Sequence, residues 1–134
     1  FCLPYDRKLH EAIHQAGHKV VYHTCGGMTK ILDLIVANGC DASETLSPRA
    51  IGGDITDPAV VKRAIGDRVC LIGGMDQFNI LTDGSPEDIR KEVHRLFAAL
   101  GEGGGYMLSA SDHFFNTPME NLVAYAKAAH ECVY

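Results

Sequence analysis

The sequence predicts an α/β fold in which parallel strands alternate with helices. Three observations predict it. Short apolar runs of strand type are each followed by a segment with helical spacing of its apolar residues. Three of those helical segments open with a capping residue and a proline, as Asp57-Pro58, Ser85-Pro86 and Thr117-Pro118. Each apolar run also breaks off in polar residues, so the same pattern is met four times along the chain.

Residues 4–16 form the first helix, with Pro4 near its start, Leu9, Ile13 and Ala16 at helical spacing and Gly17 as the stop. The run KVVYHTC follows as a strand. In GMTKILDLIVANG, Met28, Ile31, Leu32, Ile35 and Val36 share one helical face, and Gly39 ends it. CDASETLS reads as a strand with a polar end, and DPAVVKRAIG as a helix with Asp57 at its N-cap. RVCLIGGMD is the clearest buried strand. The helix SPEDIRKEVHRLFAALG has Ser85 as N-cap, acidic residues in its first turn and Ile89, Val93, Leu96, Phe97 and Leu100 on one stripe. GYMLSAS and TPMENLVAYAKAAHECV complete a fourth strand and helix. Met28 and Met107 are expected in the core, and His10, His14, His18, His94 and His130 on the surface.

Strands that alternate with helices are joined by right-handed crossovers into a parallel sheet. A doubly wound sheet would carry a glycine-rich phosphate loop after its first strand, and CGGMTK does not match one. In a (βα)8 barrel of the TIM type, chemistry sits at the carboxyl ends of successive strands. Those positions hold His23 and Cys25, then Glu44, then Asp76, then Asp112 and His113. The chain is therefore read as about four βα units, the C-terminal half of a barrel domain within a longer chain that begins before Phe1. A half barrel exposes two sheet edges, which predicts a homo-oligomer for the isolated piece.

With 134 residues, 46% of them hydrophobic, the chain is long enough for one globular unit. A net charge of −5 and scattered Lys and Arg argue against a nucleic-acid partner. No apolar run is long enough for a membrane span, and the chain is expected to be cytoplasmic. The five cysteines are odd in number and widely spaced, unlike a secreted disulfide framework.

His23 and Cys25 alternate with period two and so point to one side of their strand, a geometry suited to two ligands of one ion or to a core His beside a buried Cys. Glu44, one unit later, is placed to complete a metal shell. Gly73 and Gly74 give Asp76 room, and it is read as a functional carboxylate. Asp112 and His113 precede Phe114 and Phe115, which would form an aromatic wall for a flat organic substrate.

Taken together, LPYDRKLHEAIHQAGHKVVYHTCGGM, GGDITDPAVVKRAIGDRVCLIGGMD, GEGGGYMLSASD and NTPMENLVAYAKAA resemble the C-terminal half of the uroporphyrinogen decarboxylase superfamily, over essentially the whole chain. The landmarks are the strand-ending HxCG, GGMD, Gly104-Gly105-Tyr106 and TPxEN. Within that superfamily HxCG is similar to the cobamide-dependent methyltransferases. The resemblance implies a (βα)8 barrel, a zinc ion held by His23 and Cys25, and a corrinoid (cobalamin) carried by a partner protein docked over the strand ends. The third ligand of those enzymes is a later Cys, where this chain reads Ser111, Asp112, His113. Glu44, Asp112 or His113 would then replace it.

What the resemblance implies is methyl transfer between a cobamide and a small methoxylated substrate or a thiol. Two other readings stand beside it. One is a metal-free decarboxylase-like lyase acting on a tetrapyrrole, with Asp76 holding the pyrrole NH groups. The other is a half barrel with no activity of its own.

Overall fold

The computed structural model describes all 134 residues. In chain order the elements are α1 (Leu3–Gln15), β1 (Val21–His23), α2 (Leu32–Ala37), β2 (Ala42–Thr45), a 3-10 turn (Arg49–Ile51), α3 (Pro58–Ile65), β3 (Cys70–Met75), a π-helical turn (Gln77–Thr82), α4 (Pro86–Leu100), β4 (Tyr106–Ala110) and α5 (Met119–Glu131). The four strands are all parallel and lie in the order β1-β2-β3-β4. Sequential parallel neighbours joined by helices are what the alternating pattern predicts.

Helix starts follow the local chemistry. Asp57 accepts a hydrogen bond from the Ala59 N–H at 3.0 Å, and Ser85 and Asp88 form a reciprocal capping box at the head of α4. Each such cap stabilises its helix by about 1 kcal/mol. The α5 start works differently. Pro118 rather than Thr117 is the cap residue, and no side chain caps it. Instead Asn121, buried at 3% exposure, shares its Nδ2 hydrogens among the carbonyls of Leu81, Thr82 and Gly84 at 3.0, 3.2 and 3.0 Å. The TPMEN segment is thus an anchor on the end of the π-helical turn.

Register explains which residues reach the core. Tyr22, Ser43, Leu71 and Tyr106 stand side by side across the sheet, and so do His23, Glu44, Ile72 and Met107. Adjacent rows face opposite sides. The first row lies against the helices, where Leu71 packs with Val61, Ile65, Ile89, Val93, Leu96 and Leu100 into one core. The second row faces the side that no helix covers. Met107, expected in the core, is therefore 57% exposed.

His10 is the converse. Expected on the surface, it is buried, its Nδ1–H donating to the Asn38 carbonyl at 2.9 Å and its ring edge-on to Tyr22. The expected α2 also loses its first turn. It begins at Leu32, and ahead of it the backbone N–H groups of Met28 and Thr29 donate to the Asp54 carboxylate, tying this segment to the β2–α3 connection.

The adjacent glycines of β3 have a backbone reason. Gly73 has φ +118, and a Cβ there would lie 1.8 Å from the Thr45 carbonyl oxygen; one at Gly74 would press on Leu96 at 3.0 Å. They permit close packing of β3 against β2 and α4. No helix is long and apolar enough to cross a membrane.

Two outcomes follow. Asn121→Ala leaves three carbonyls without their donor and should cost about 1–3 kcal/mol in urea unfolding; an unchanged midpoint would contradict the anchor. Asp41 accepts hydrogen bonds from Lys19, the Val20 N–H and His14, in that order of influence, which hold its carboxyl well below the ordinary range. Its stabilisation is full above the unfolded carboxylate value and is lost as pH falls through the depressed folded one. Asp41→Asn should remove that part of the acid dependence of the thermal midpoint.

Candidate active site at the strand ends

The pairing of β1 with β2 places His23 beside Glu44. The imidazole Nδ1 lies 2.8 Å from Glu44 Oε1, and Nε2 lies 2.8 Å from Cys25 Sγ. Cys25 itself is beyond β1. The Thr24 N–H still bonds the Glu44 carbonyl, continuing the ladder by one residue, and Gly26 at φ +77 turns the chain away. The predicted meeting of His23 and Cys25 is observed, across a loop instead of along a longer strand.

From the far edge comes Asp112, with Oδ2 3.7 Å from Cys25 Sγ. A flat sheet would separate β1 from β4 by about 14 Å at three strand spacings. Curvature of the sheet and inward-folding loops close that distance. His113 Nδ1 lies 2.5 Å from Asp112 Oδ1, and its ring stacks on Phe115 at 6.2 Å. Five of the predicted residues, His23, Cys25, Glu44, Asp112 and His113, are thus joined in one chain of contacts. Phe114 and Phe115 are exposed, at 40% and 86%, so neither belongs to the core.

Asp76, the functional carboxylate of the sequence reading, stands apart from this chain of contacts. It is buried at 6% exposure and caps the π-helical turn, with Oδ1 accepting from the N–H groups of Phe78 and Asn79 and Oδ2 from Asn79 Nδ2. Glu44, expected to complete a metal shell, meets the His23 imidazole through Oε1, a contact of the kind by which a carboxylate orients a histidine.

Two clefts flank this cluster. One, of about 270 Å³, lies among His23, Glu44, Ser111, Asp112, His113 and Phe114. The other, of about 330 Å³, lies among Cys25, Ser47, Gln77, Phe78, Asp112 and Phe115. Sequence reasoning missed Gln77, Phe78 and Ser47, which are recognisable only by where the loops bring them. Asp54 was missed as well. Its carboxylate binds Met28 N, Thr29 N and Thr29 Oγ1, tying the loop that carries Cys25 to the β2–α3 connection.

Chemically, thiol, imidazole and carboxylate are the donors zinc prefers. Two ligands of a tetrahedral zinc, one sulfur and one oxygen, stand about 3.6 Å apart, close to the 3.7 Å between Cys25 and Asp112. The His23–Cys25 hydrogen bond is shorter than such a ligand pair, and no group of three or more such side chains is disposed to hold a metal as it stands. The donor types fit; their present arrangement is a hydrogen-bonded one.

Partial desolvation, then the Asp112 and Glu44 carboxylates, push the Cys25 thiol above its ordinary value. The His113 backbone N–H and imidazole hold Asp112 below its own. Removing a negative neighbour favours thiolate, so Asp112→Asn should shift the Cys25 alkylation profile to lower pH. In metal-stripped protein, iodoacetamide labelling below the midpoint, read by peptide mass spectrometry, should run faster in the variant than in the wild type. An unmoved profile would show that Asp112 does not bear on the thiol.

The uroporphyrinogen decarboxylase (URO-D) family model matches residues 1–132. The uroporphyrinogen decarboxylase of Psychromonas ingrahamii is 36% identical over 102 residues, covering 75% of this chain and 26% of that protein. The methylated-thiol–coenzyme M methyltransferase of Methanosarcina mazei is 26% identical over 98% of this chain and 32% of that one. A solved methyltransferase from Methanosarcina mazei superposes with a TM-score of 0.78 at 23% identity, covering 98% of this chain and 35% of the other. That likeness shows the fold, α/β of the TIM-barrel type. The chain spans about a quarter to a third of the length of these relatives, at 26%, 32% and 35%. With a family match from Phe1 to Cys132, the chain belongs to the uroporphyrinogen decarboxylase family.

Proposed function

We propose that this chain is the C-terminal half of a longer barrel enzyme, and that the enzyme is a zinc-dependent methyltransferase working with a corrinoid on a partner protein. The observation that carries the reading is the His23–Cys25 pair with Glu44 on the far nitrogen of the imidazole. A relative named as a methylated-thiol–coenzyme M methyltransferase supports it. The free β1 and β4 edges and the bare face bearing Val21 and Met107 suit completion by the other half of the same chain.

His23 and Cys25 would hold the metal, with Asp112 as the third donor from across the cleft. Zinc bound there would supply Lewis acidity toward a thiol or an ether oxygen. Glu44 accepts from the imidazole Nδ1–H, which leaves Nε2 free of its proton and aimed at the thiol side. His113, 79% exposed in its side chain and held through Nδ1 by Asp112, keeps Nε2 free to give or take a proton. Phe114 and Phe115 would lie against an apolar part of the substrate. Asp76, with both oxygens engaged, positions the β3 end. The methyl donor would be a small methoxylated substrate, with a thiol as the second choice.

A metal-free decarboxylase-like lyase is the second reading, favoured by the 36% identity to a protein of that name. A tetrapyrrole with several carboxylates calls for basic partners, and neither cleft is lined by Lys or Arg. This chain's own share of the lining is better suited to the methyltransferase.

Elemental analysis of the full-length protein should find about one zinc per chain, as one ligand set requires. Cys25→Ser should lose the metal, and both Cys25→Ser and His23→Ala should lower methyl transfer to a corrinoid by at least about a hundredfold. Zinc-free protein that turns over a porphyrinogen would replace this reading with the second one.

A further inference from the structure

Two glycines follow Cys25, and the donor set itself requires neither. Gly26, at φ +77, turns the chain. Gly27 has no such conformation, and its lack of a side chain serves a close approach: a Cβ there would lie 3.0 Å from Asp54 Oδ2 and 3.2 Å from Asp54 Cγ. The Asp54 carboxylate therefore lies against the backbone just beyond Cys25.

Asp54 uses that place to hold the residues that come next. Its Oδ1 accepts from the Met28 N–H at 2.9 Å, both oxygens share the Thr29 N–H at 3.2 Å, and Oδ2 also accepts from the Thr29 hydroxyl. The carboxylate is itself well anchored. Ile55, beside it in the chain, is buried at 5% exposure and its carbonyl accepts from the Arg49 N–H at 3.1 Å, while the Gly53 N–H bonds the Pro48 carbonyl at 3.1 Å.

The stretch in between has no support of its own. No backbone hydrogen bond holds Cys25, Gly26 or Gly27, and a glycine pair is the freest backbone a chain can have. Where the thiol sits thus depends on how the stretch is held at its two ends. At one end Thr24 bonds the Glu44 carbonyl, and at the other Met28 and Thr29 bond Asp54. The partners of the thiol, His23 Nε2 at 2.8 Å and Asp112 Oδ2 at 3.7 Å, belong to other strand ends and cannot follow it if it moves.

We propose that Asp54 is a positioning residue for Cys25: by holding Met28 and Thr29 it keeps the thiol within reach of His23 and Asp112, and so sets how well these donors close on one metal ion. It touches neither the thiol nor its partners. The metal part of this inference rests on the zinc-dependent reading above, and the ordering of Cys25 rests on the loop geometry alone.

The test titrates metal-stripped full-length protein with cobalt(II) alone, whose charge-transfer absorption with a thiolate reports the Cys25 sulfur on the metal. Asp54→Ala should bind cobalt about tenfold more weakly, the effect of leaving roughly one residue's backbone to be ordered on binding. Gly27→Ala should weaken it in the same direction, because the added methyl displaces the carboxylate. Asp54→Asn should lose less, since its amide oxygen still accepts from the two N–H groups. Asp57→Ala, which removes the cap of α3 three residues along and has no contact with the Cys25 loop, should lower stability and leave cobalt affinity unchanged. In the same metal-free proteins, NMR relaxation of the Cys25 amide should show an ordered backbone in wild type and a mobile one in Asp54→Ala and Gly27→Ala.

Wild-type cobalt affinity in Asp54→Ala, or an equal loss in Asp57→Ala, would overturn the proposal and leave the metal reading standing. Should Asp54→Ala not fold, wild-type affinity in both Asp54→Asn and Gly27→Ala would overturn it equally. Absence of the thiolate–cobalt absorption in wild type would remove the metal reading, and the relaxation data would then decide alone: a mobile Cys25 in the variants keeps the positioning role, and an unchanged one ends it.

Discussion

The register of β1 on β2 is the constraint on which the site depends. In a parallel pair, facing residues share one side of the sheet, so His23 and Glu44 become neighbours only in the alignment observed. A slip by one residue would turn His23 toward the helices and present Tyr22 to the open face. The same alignment fixes the whole row His23, Glu44, Ile72, Met107 on the uncovered side and Tyr22, Ser43, Leu71, Tyr106 on the packed one.

That register is held from both ends. At the amino end of the strands, Asp41 gathers Lys19, His14 and the Val20 N–H, clamping the start of β1 to the start of β2. At the carboxyl end, Asp54 ties the loop after β1 to the connection after β2. Between β2 and β3, the missing side chain at Gly73 lets the Thr45 carbonyl approach. These ties are made by polar and glycine residues outside the apolar core. The core supplies the driving force for folding, and the ties select one alignment within it.

Irregular backbone then does what regular strands cannot. Cys25 reaches His23 from a loop, Asp112 reaches Cys25 from the opposite edge, and Gln77 is set by a π-helical turn. Three strand ends thereby converge on clefts with acidic, aromatic and uncharged polar linings. This division of labour, rigid strands below and variable loops above, is how the barrel type supports many chemistries. The family shared with both a decarboxylase and a methyltransferase relative is therefore informative about scaffold rather than about which of the two chemistries it carries.

The alternation of elements, most helix caps and the polar strand ends were legible in the sequence because each rests on neighbouring residues: periodicity, a Ser or Asp before Pro, a glycine after the last turn. His23 and Cys25 were legible for the same reason, being two residues apart. Met107 and His10 were not, since strand periodicity says that residues alternate but not which side a helix will cover, and a helical histidine looks the same whether or not Asn38, just past the end of α2, waits for its N–H. Asp76 showed its glycines but not the turn that consumes its oxygens. Gln77 carried no signal, because an unpartnered buried atom is defined by surroundings drawn from distant parts of the chain. By itself the sequence determined the order and kind of the elements and which polar residues stand at their ends. The tertiary structure alone decided which of those residues touch, because contact across strands depends on register, curvature and loop path, and these are set by packing between segments far apart in the chain.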